Sequence, residues 1–287
     1  MSLPSFRTPA LAALGCALVL GTPCVHATLL VYDPFNQAPG TLNGTSSSGG
    51  SPAAVWPTAG QNYTTPTGTT QVVSGSLSGN VVTQDNRAQV GPEASASIFR
   101  LFGATLGGAG TDLWLSFLIN ATSAKNSQVL SLFNGAQEDL AIGVNGSTVF
   151  GMSVRTNGAT TTAGNPAVST ATAPNNATHF VAVHLQLVAG TGSSTFSFFV
   201  DPDLASYGTL APSGGQSAVF SGNNSLPFSF DRIRLGEFSG ATTAFDEIRI
   251  ADNWADASPI PAPEPAAVGL LALGAGSLGV RRRRRGK

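Results

Sequence analysis

Short apolar runs recur through the centre of the chain, and clusters of Gly, Asn, Ser and Thr separate them. In LWLSFLIN, residues 113–120, every odd-numbered position is apolar, and FVAVHLQLV, residues 180–188, shows the same alternation. A two-residue period is typical of a strand with one face in a protein core. No stretch between residues 28 and 259 sustains the 3.6-residue period of a helix. The pattern therefore predicts an all-β, antiparallel sandwich that forms one domain over residues 28–259.

Ten runs within this domain are predicted to be strands. Abundant glycine and few apolar residues predict long loops over residues 41–94, with one or two edge strands, and another long loop over 159–176. The predicted strands are 29–32, 97–102, 113–119, 129–133, 140–144, 149–155, 180–188, 195–200, 232–236 and 245–250.

The first 27 residues have the organisation of a secretory signal peptide. Arg7 supplies a basic start, residues 10–21 supply an apolar centre, and the small residue Ala27 precedes a cleavage site at Thr28. The apolar centre is shorter than the roughly 20 residues that span a bilayer. We therefore expect a signal helix that directs export and is then removed.

Both cysteines of the chain, Cys16 and Cys24, lie within the predicted signal peptide. Their surroundings do not favour lipid attachment, because Pro23 precedes Cys24 and because Cys16 lies inside the apolar centre. Removal of the signal peptide would leave a chain without thiols. This excludes a disulfide framework, a thiolate metal site and a cysteine nucleophile.

Charged residues are scarce, at 10% of the chain, and unevenly distributed. Residues 28–265 hold 7 basic residues against 15 acidic residues, a formal charge of −8. Binding to nucleic acid depends on Lys and Arg contacts to phosphate. We therefore expect no nucleic-acid partner.

The chain closes with a Pro-Glu-Pro triplet, a short apolar segment and a run of arginines. As a helix, residues 266–280 would reach about 22 Å, less than the roughly 30 Å hydrocarbon core of a bilayer. The prolines keep residues 263–265 extended. Positive residues stay on the cytoplasmic side of a membrane and would stop export at this point. The predicted stop-transfer residues are Arg281, Arg282, Arg283, Arg284 and Arg285.

This order of elements over residues 260–287 resembles the PEP-CTERM sorting signal of Gram-negative bacteria, with Pro263, Glu264 and Pro265 as the sorting motif. The resemblance implies processing by an exosortase, a membrane-embedded cysteine transpeptidase, while the C-terminal transmembrane helix lies transiently in the inner membrane. It also implies a final location at the cell surface or in the extracellular matrix, in association with exopolysaccharide and biofilm. The alternative is a plain tail anchor with a proline-rich stalk.

Three parts of the predicted sandwich resemble concanavalin A-like domains of the laminin-G kind. They are LLVYDPFNQAPGTLNG at 29–44, FSFFVDPDLAS at 196–206, and the pair FDRIRLGEF and AFDEIRIADNWADASP within 230–259. The resemblance implies a jelly-roll sandwich whose last strand pairs near the first. It also implies a concave sheet that can face a glycan.

The sequence predicts no enzyme and no cofactor. Retaining glycosidases need two carboxylates at a controlled separation. The closest pairs, Glu138–Asp139 and Asp246–Glu247, are adjacent residues, which a regular strand directs to opposite faces. The chain also contains no E-x-D-x-E spacing, no G-x-S-x-G elbow and no H-E-x-x-H zinc motif. His184 lies among apolar residues of a predicted strand and is predicted to be a core or half-buried histidine rather than a general base.

Two binding features are proposed from the sequence. Asp201 and Asp203 follow a predicted strand and are calcium candidates; the alternative is a turn capped by Asp, since calcium takes six to eight ligands. Trp114 shares a face with Ser116 and Asn120 and is the candidate glycan contact, with burial in the core as the alternative.

A further set of charged residues alternates with apolar ones near the end of the domain. We predict that these residues form cross-strand ion pairs on an exposed face. They are Arg232, Arg234, Glu247 and Arg249.

These features predict an exported, C-terminally sorted, non-enzymatic β-sandwich protein of the cell surface or exopolysaccharide matrix. Its expected role is structural or adhesive, with extracellular polysaccharide as a partner. The alternatives are a dedicated carbohydrate-binding lectin and a hydrolase of matrix glycans.

Overall fold

The computed structural model describes residues 28–46, 55–57, 61–77, 83, 86–122, 127–145, 149–154, 176–188, 193–206, 211–223, 228–237 and 240–258. The predicted signal peptide, the sorting motif at 263–265, the apolar segment 266–280 and the arginine tail lie outside the described residues. Within the described part of the chain, no helix is long and apolar enough to cross a bilayer.

The described chain forms two antiparallel sheets. In order of sequence, the strands are β1 (Leu29–Asp33), β2 (Gly40–Thr41), β3 (Tyr63–Thr67), β4 (Thr70–Ser74), β5 (Asn86–Val90), β6 (Ala96–Gly107), β7 (Asp112–Ala121), β8 (Ser127–Asn134), β9 (Gln137–Asn145), β10 (Val149–Val154), β11 (Thr178–Gln186), β12 (Ser193–Val200), β13 (Gln216–Asn223), β14 (Ser229–Glu237) and β15 (Thr243–Ala251). A 3₁₀ turn, Leu204–Ser206, and a short helix, α1 (Trp254–Ala257), complete the list.

Sheet A has nine strands in the order β13-β12-β11-β7-β15-β5-β4-β2, with β1 also paired to β15. Sheet B has six strands in the order β10-β9-β8-β14-β6-β3. The pairing of β1 with β15 joins the first strand to the last, as the sequence resemblance implies. The predicted fold class, an all-β antiparallel sandwich, is confirmed.

The core lies between the two sheets, and the alternation in the sequence selects the residues that fill it. On β7 and β11, the odd-numbered apolar positions, among them Leu115, Phe117 and Val183, belong to this core and are buried. Burial of such side chains contributes about 1.5–3 kcal/mol each, which makes the face assignment of these strands a strong constraint.

The segment 41–94 contains more strand than the sequence predicts. It holds β3, β4 and β5, and β5 lies inside sheet A because it pairs with β4 on one side and β15 on the other. Its inward residues, Ala88 and Val90, alternate with the polar Arg87 and Gln89, so the apolar signal of this strand is weak. Strand β13 is likewise absent from the sequence-based prediction.

A second apolar cluster lies on the outer face of sheet A. Helix α1 packs on this face, and Asn253 caps it by accepting a hydrogen bond from the backbone N–H of Asp256 at 3.0 Å. Trp254 is buried, and its indole N–H donates to the carbonyl of Ser206 at 2.7 Å. The cluster comprises Leu77, Trp114, Leu118, Phe180, Ala182, Ala244, Ala251, Trp254 and Ala257.

Candidate functional site

A groove of about 280 Å³ lies on the outer face of sheet A, beside the outer apolar cluster. Its lining is mostly polar, with amide, hydroxyl and guanidinium groups and only two apolar side chains. The lining residues are Ser76, Leu77, Arg87, Gln89, Asn120, Thr122, Thr178, Thr242 and Ala244. The volume lies just below the roughly 300–1,000 Å³ that is typical of ligand pockets.

Four residues in register form a row across the groove, one from each of four neighbouring strands. Gln89 of β5 pairs with Ala244 of β15. Ala244 also pairs with Asn120 of β7, which pairs in turn with Thr178 of β11. Neighbouring strands are about 4.8 Å apart, and residues paired in this way share one face of a sheet. Because Ala244 is small and stands between two amide side chains, the row has a depression at its centre.

Arg87 forms one wall of the groove. Its Nη1 donates hydrogen bonds to the carbonyl oxygens of Ser74, at 3.2 Å, and Gly75. Ser74 is the last residue of β4, and Gly75, with a φ of +85°, begins the turn that follows. Arg87 therefore fixes the turn and is itself held in place by it.

Part of the hydrogen-bonding capacity of the groove is used within the protein. The Asn120 amide nitrogen donates to the Thr178 hydroxyl at 3.4 Å, a long and weak contact. The Thr122 hydroxyl accepts from the backbone N–H of Thr242 at 3.0 Å. The buried Ser76 hydroxyl has no hydrogen-bond partner among the described residues. The groove thus retains donors and acceptors for a polar ligand.

The rim of the groove is held by a buried carboxyl group. Asp246 accepts hydrogen bonds from the backbone N–H of Leu77, at 3.0 Å, and from the backbone N–H of Glu247, at 2.9 Å. Burial raises the pKa of Asp246 well above its ordinary value, and the nearby charge of Glu247 raises it further. Leu77 belongs both to the groove lining and to the outer apolar cluster, so Asp246 fixes the boundary between them.

The expectation that Asp246 and Glu247 point to opposite faces of a strand is wrong. The register of β15 against β7 shifts between Asp246 and Arg249, and Glu247 has a φ of +53°. This bulge brings both carboxyl groups to the outer side of sheet A. Glu247 accepts hydrogen bonds from the Tyr32 hydroxyl, at 2.9 Å, and from Arg249 Nη2, at 3.0 Å. Both carboxyl groups are fully buried and hydrogen-bonded, so neither is open to a substrate.

The prediction that Arg232, Arg249 and Glu247 form cross-strand ion pairs on an exposed face is wrong. Arg232 pairs with its chain neighbour Asp231 at 2.8 Å and is partly exposed. Arg249 and Glu247 are instead buried, and they lie on the same strand rather than across from each other. The bulge accounts for the difference, because it brings these two residues together.

The two carboxyl groups of the second acidic pair, Glu138–Asp139, have different surroundings. Glu138 pairs with Arg234 across sheet B at 2.5 Å. Burial raises the pKa of Asp139 to about 6, and the charge of Asp231 adds to this shift. One carboxyl group is thus neutralised by an ion pair, while the other takes up a proton at a higher pH than an ordinary aspartate does.

Trp114, the glycan contact proposed from the sequence, lies in the outer apolar cluster with only 5% of its surface exposed. Its ring stacks on His184 with 3.9 Å between centroids and contacts Trp254 at 5.2 Å. This burial is the alternative stated for Trp114 in the sequence analysis. The groove residues Arg87 and Gln89 were not proposed from the sequence. The sequence feature that could have identified them as outward-facing is their alternation with the core residues of β5.

Of the two calcium candidates, Asp201 contacts other protein groups and Asp203 lies in the turn that follows. Asp201 accepts a hydrogen bond from the backbone N–H of Phe180 at 2.9 Å and pairs with His179 Nδ1 at 2.7 Å. Asp203 lies in the following turn, where its N–H donates to the carbonyl of Ser213. Over the described ranges, no group of three or more His, Cys, Asp or Glu side chains could hold a metal ion.

Among the described residues, two histidines pair with carboxylates, His179 with Asp201 and His184 with Asp112, the latter at 2.5 Å. Within the described segments, no serine hydroxyl hydrogen-bonds to either imidazole. The arrangement of a nucleophile held by a base, which serine hydrolases use, is therefore not assembled by these residues.

No family model matches the chain, and no curated protein matches it either. Several solved structures are similar. The binding domain of Paraclostridial Mosquitocidal Protein 1 is 11% identical with a TM-score of 0.47, covering 79% of this chain and 49% of that one. The cellulose induced protein Cip1 is 16% identical with a TM-score of 0.42, covering 64% of this chain and 86% of that one.

The carbohydrate recognition domain of Emp46p, in its metal-free form, is 8% identical with a TM-score of 0.38, covering 62% of this chain and 88% of that one. The chain spans about half the length of the mosquitocidal binding domain. Likenesses at these identities and scores do not specify a ligand or an activity for this chain.

Proposed function

We propose that this chain is an exported, C-terminally sorted, non-enzymatic β-sandwich protein with a structural or adhesive role at the cell surface or in an exopolysaccharide matrix. We further propose that it binds extracellular polysaccharide through the groove on sheet A. The observation that carries the binding proposal is the row from Gln89 through Ala244 and Asn120 to Thr178.

The chemistry of the groove fits the hydroxyl groups of a sugar. Amide and hydroxyl side chains can each donate and accept hydrogen bonds, as sugar hydroxyls do. The depression at Ala244 gives the ring of a sugar access to the amides of Gln89 and Asn120. A few placed polar groups in a concave site are typical of small-ligand recognition.

The described acidic residues near the groove support binding without turnover. Asp246 lies beneath the rim and accepts hydrogen bonds from two backbone N–H groups, so it is not free to take part in proton transfer. Glu247 is held by Tyr32 and Arg249. Neither can act as one of the paired carboxyl groups that glycoside hydrolysis requires.

The test of binding uses the full chain, recovered in its exported form, and an array of polysaccharide fragments followed by calorimetry. We expect Gln89→Ala and Asn120→Ala each to weaken binding about 5- to 10-fold, the effect of losing one hydrogen bond. Gln186→Ala is the matched control, because Gln186 is exposed on the same strand face outside the groove. Equal effects of all three variants, or turnover of any fragment, would contradict the proposal.

The test of sorting replaces Pro263, Glu264 and Pro265 by alanine in the native host. We expect the altered chain to remain with the inner membrane, because the processing enzyme would no longer recognise it. Mass spectrometry of the C-terminus of surface protein is the readout. Recovery of surface protein that still carries Arg281 to Lys287 would refute the sorting part of the proposal.

A further inference from the structure

Arg87 differs from the other described arginines in its partners. Each of the other four forms an ion pair with a carboxylate, and Arg87 forms none within the described chain. The pairs are Arg100 with Asp33, Arg232 with Asp231, Arg234 with Glu138 and Arg249 with Glu247. The groove therefore contains a guanidinium charge that no described acidic side chain neutralises.

The contacts of Arg87 leave one edge of its guanidinium group available. Both of its described hydrogen bonds, to the carbonyls of Ser74 and Gly75, use the same terminal nitrogen, Nη1. The opposite edge, formed by Nε and Nη2, bonds to no described residue. Two parallel N–H groups on one guanidinium edge match the two oxygens of a carboxylate. Because the turn carbonyls hold Nη1, this edge is also fixed in orientation.

We infer that the groove selects sugars that carry a carboxylate, such as uronic acids, and that Arg87 binds this carboxylate while Gln89 and Asn120 bind ring hydroxyls. The inference rests on the proposed function and specifies its ligand class. A neutral polysaccharide that covers the Nε–Nη2 edge would remove water from this edge without supplying a charged partner, which is costly.

The charges around the groove determine the distance over which Arg87 can attract a carboxylate. Residues 28–265 carry a formal charge of −8, so this part of the chain repels a polyanion at long range. The pKa of Asp246, beneath the rim, is raised by burial, which favours its uncharged form and limits local repulsion. Arg87 therefore attracts a carboxylate only at short range. It acts on a carboxylate bound in the groove and not on the negative charges of the polysaccharide outside the groove.

The experiment compares uronic-acid oligosaccharides with their methyl esters, which keep the rings and linkages but remove the charge. Calorimetry on the full chain gives both affinities. We expect the acid form to bind at least about 10-fold more tightly than the ester, as charge-assisted hydrogen bonds predict. Equal affinity for acid and ester in the unmodified chain would overturn the inference, whatever the variants do.

Two variants locate the effect. Arg87→Gln should lower affinity for the acid about 10- to 100-fold and leave affinity for the ester within about 2-fold. Arg232→Gln is the matched control, since it removes the same charge from a partly exposed arginine on sheet B and should change neither affinity. An Arg87→Gln variant that loses both affinities equally would indicate a purely structural role in the turn, and would contradict the inference.

The outcomes separate the inference from the proposed function. Binding of neutral glycans that depends on Asn120 but not on Arg87 would refute carboxylate selection and leave polysaccharide binding intact. Equally tight binding of a sulfated neutral oligosaccharide would also refute selection for carboxylate. Binding of no glycan, charged or neutral, would refute the proposed function itself.

Discussion

The outer face of sheet A has two halves that use the same strands in opposite ways. On β7, Trp114 and Leu118 point outward into a buried apolar cluster, while Asn120, two residues further along the same face, lines an open polar groove. The half with Trp114 is covered by helix α1, and the half with Asn120 is bounded by Leu77. One face of β7 thus packs against other residues at one end and lines the candidate groove at the other, and the difference lies in whether helix α1 covers it.

The largest expected effect on stability comes from a substitution in the half of the outer face that helix α1 covers. Trp254→Ala removes a fully buried side chain from between α1 and sheet A, together with its hydrogen bond to Ser206. We expect the free energy of unfolding to fall by about 3–5 kcal/mol, the range for truncating a large buried aromatic residue. Urea unfolding of the full chain measures it. A fall of less than about 1 kcal/mol would mean that α1 adds little to the sandwich.

The second effect concerns Asp246, which fixes Leu77 at the boundary of the two halves. Burial raises the pKa of Asp246 above its ordinary value, so the native state binds this proton more tightly than the unfolded chain. The stability gained in this way is complete below about pH 4 and is lost as the pH rises through the native pKa. In Asp246→Asn the amide keeps an acceptor for the Leu77 N–H and does not titrate.

We therefore expect the unmodified chain to lose stability relative to Asp246→Asn as the pH rises from about 4, the ordinary pKa of an aspartate, through the raised native pKa of Asp246. Urea unfolding at several pH values gives this difference. Asp252→Asn, at an exposed position, is the control for general effects of charge removal. A difference that does not change with pH would show that burial leaves the ionisation of Asp246 unchanged.

The sequence predicts those features of the outer face of sheet A that depend on neighbouring residues, and it does not predict those that depend on residues distant in the chain. The alternation of apolar residues on β7 and β11 is local, and it identifies both strands and their inward sides correctly. It also places Trp114 and Asn120 on one face. It does not reveal that Trp254, far along the chain, covers one of them and not the other.

The groove was harder to foresee because register between distant strands creates it. Gln89 and Asn120 become neighbours only through Ala244, which pairs with both. The bulge at Glu247 has no signature in the sequence either, since a glutamate with a φ of +53° is stabilised by its contacts with Tyr32 and Arg249 rather than by its own preference. Local pattern therefore predicts the layers of this protein, and long-range pairing determines its candidate site.

The smallest effect on stability should come from filling the groove, and it gives the sharpest comparison of the two halves. Ala244 and Ala182 are both small outward residues of sheet A and members of the outer apolar cluster, but Ala244 also lines the groove, with 7% of its surface exposed, while Ala182 is fully buried. A leucine at position 182 must displace packed neighbours, at a cost of about 1–3 kcal/mol. A leucine at position 244 can extend into the groove and should change the free energy of unfolding by less than about 1 kcal/mol.

Binding should respond in the reverse order. Ala244→Leu occupies the depression between Gln89 and Asn120, so we expect glycan affinity to fall at least about 10-fold, while Ala182→Leu should leave it nearly unchanged. Urea unfolding and calorimetry on the two variants measure both quantities. If Ala244→Leu destabilised the protein as much as Ala182→Leu, the groove floor would be packed like the covered half, and the distinction between the two halves would fail.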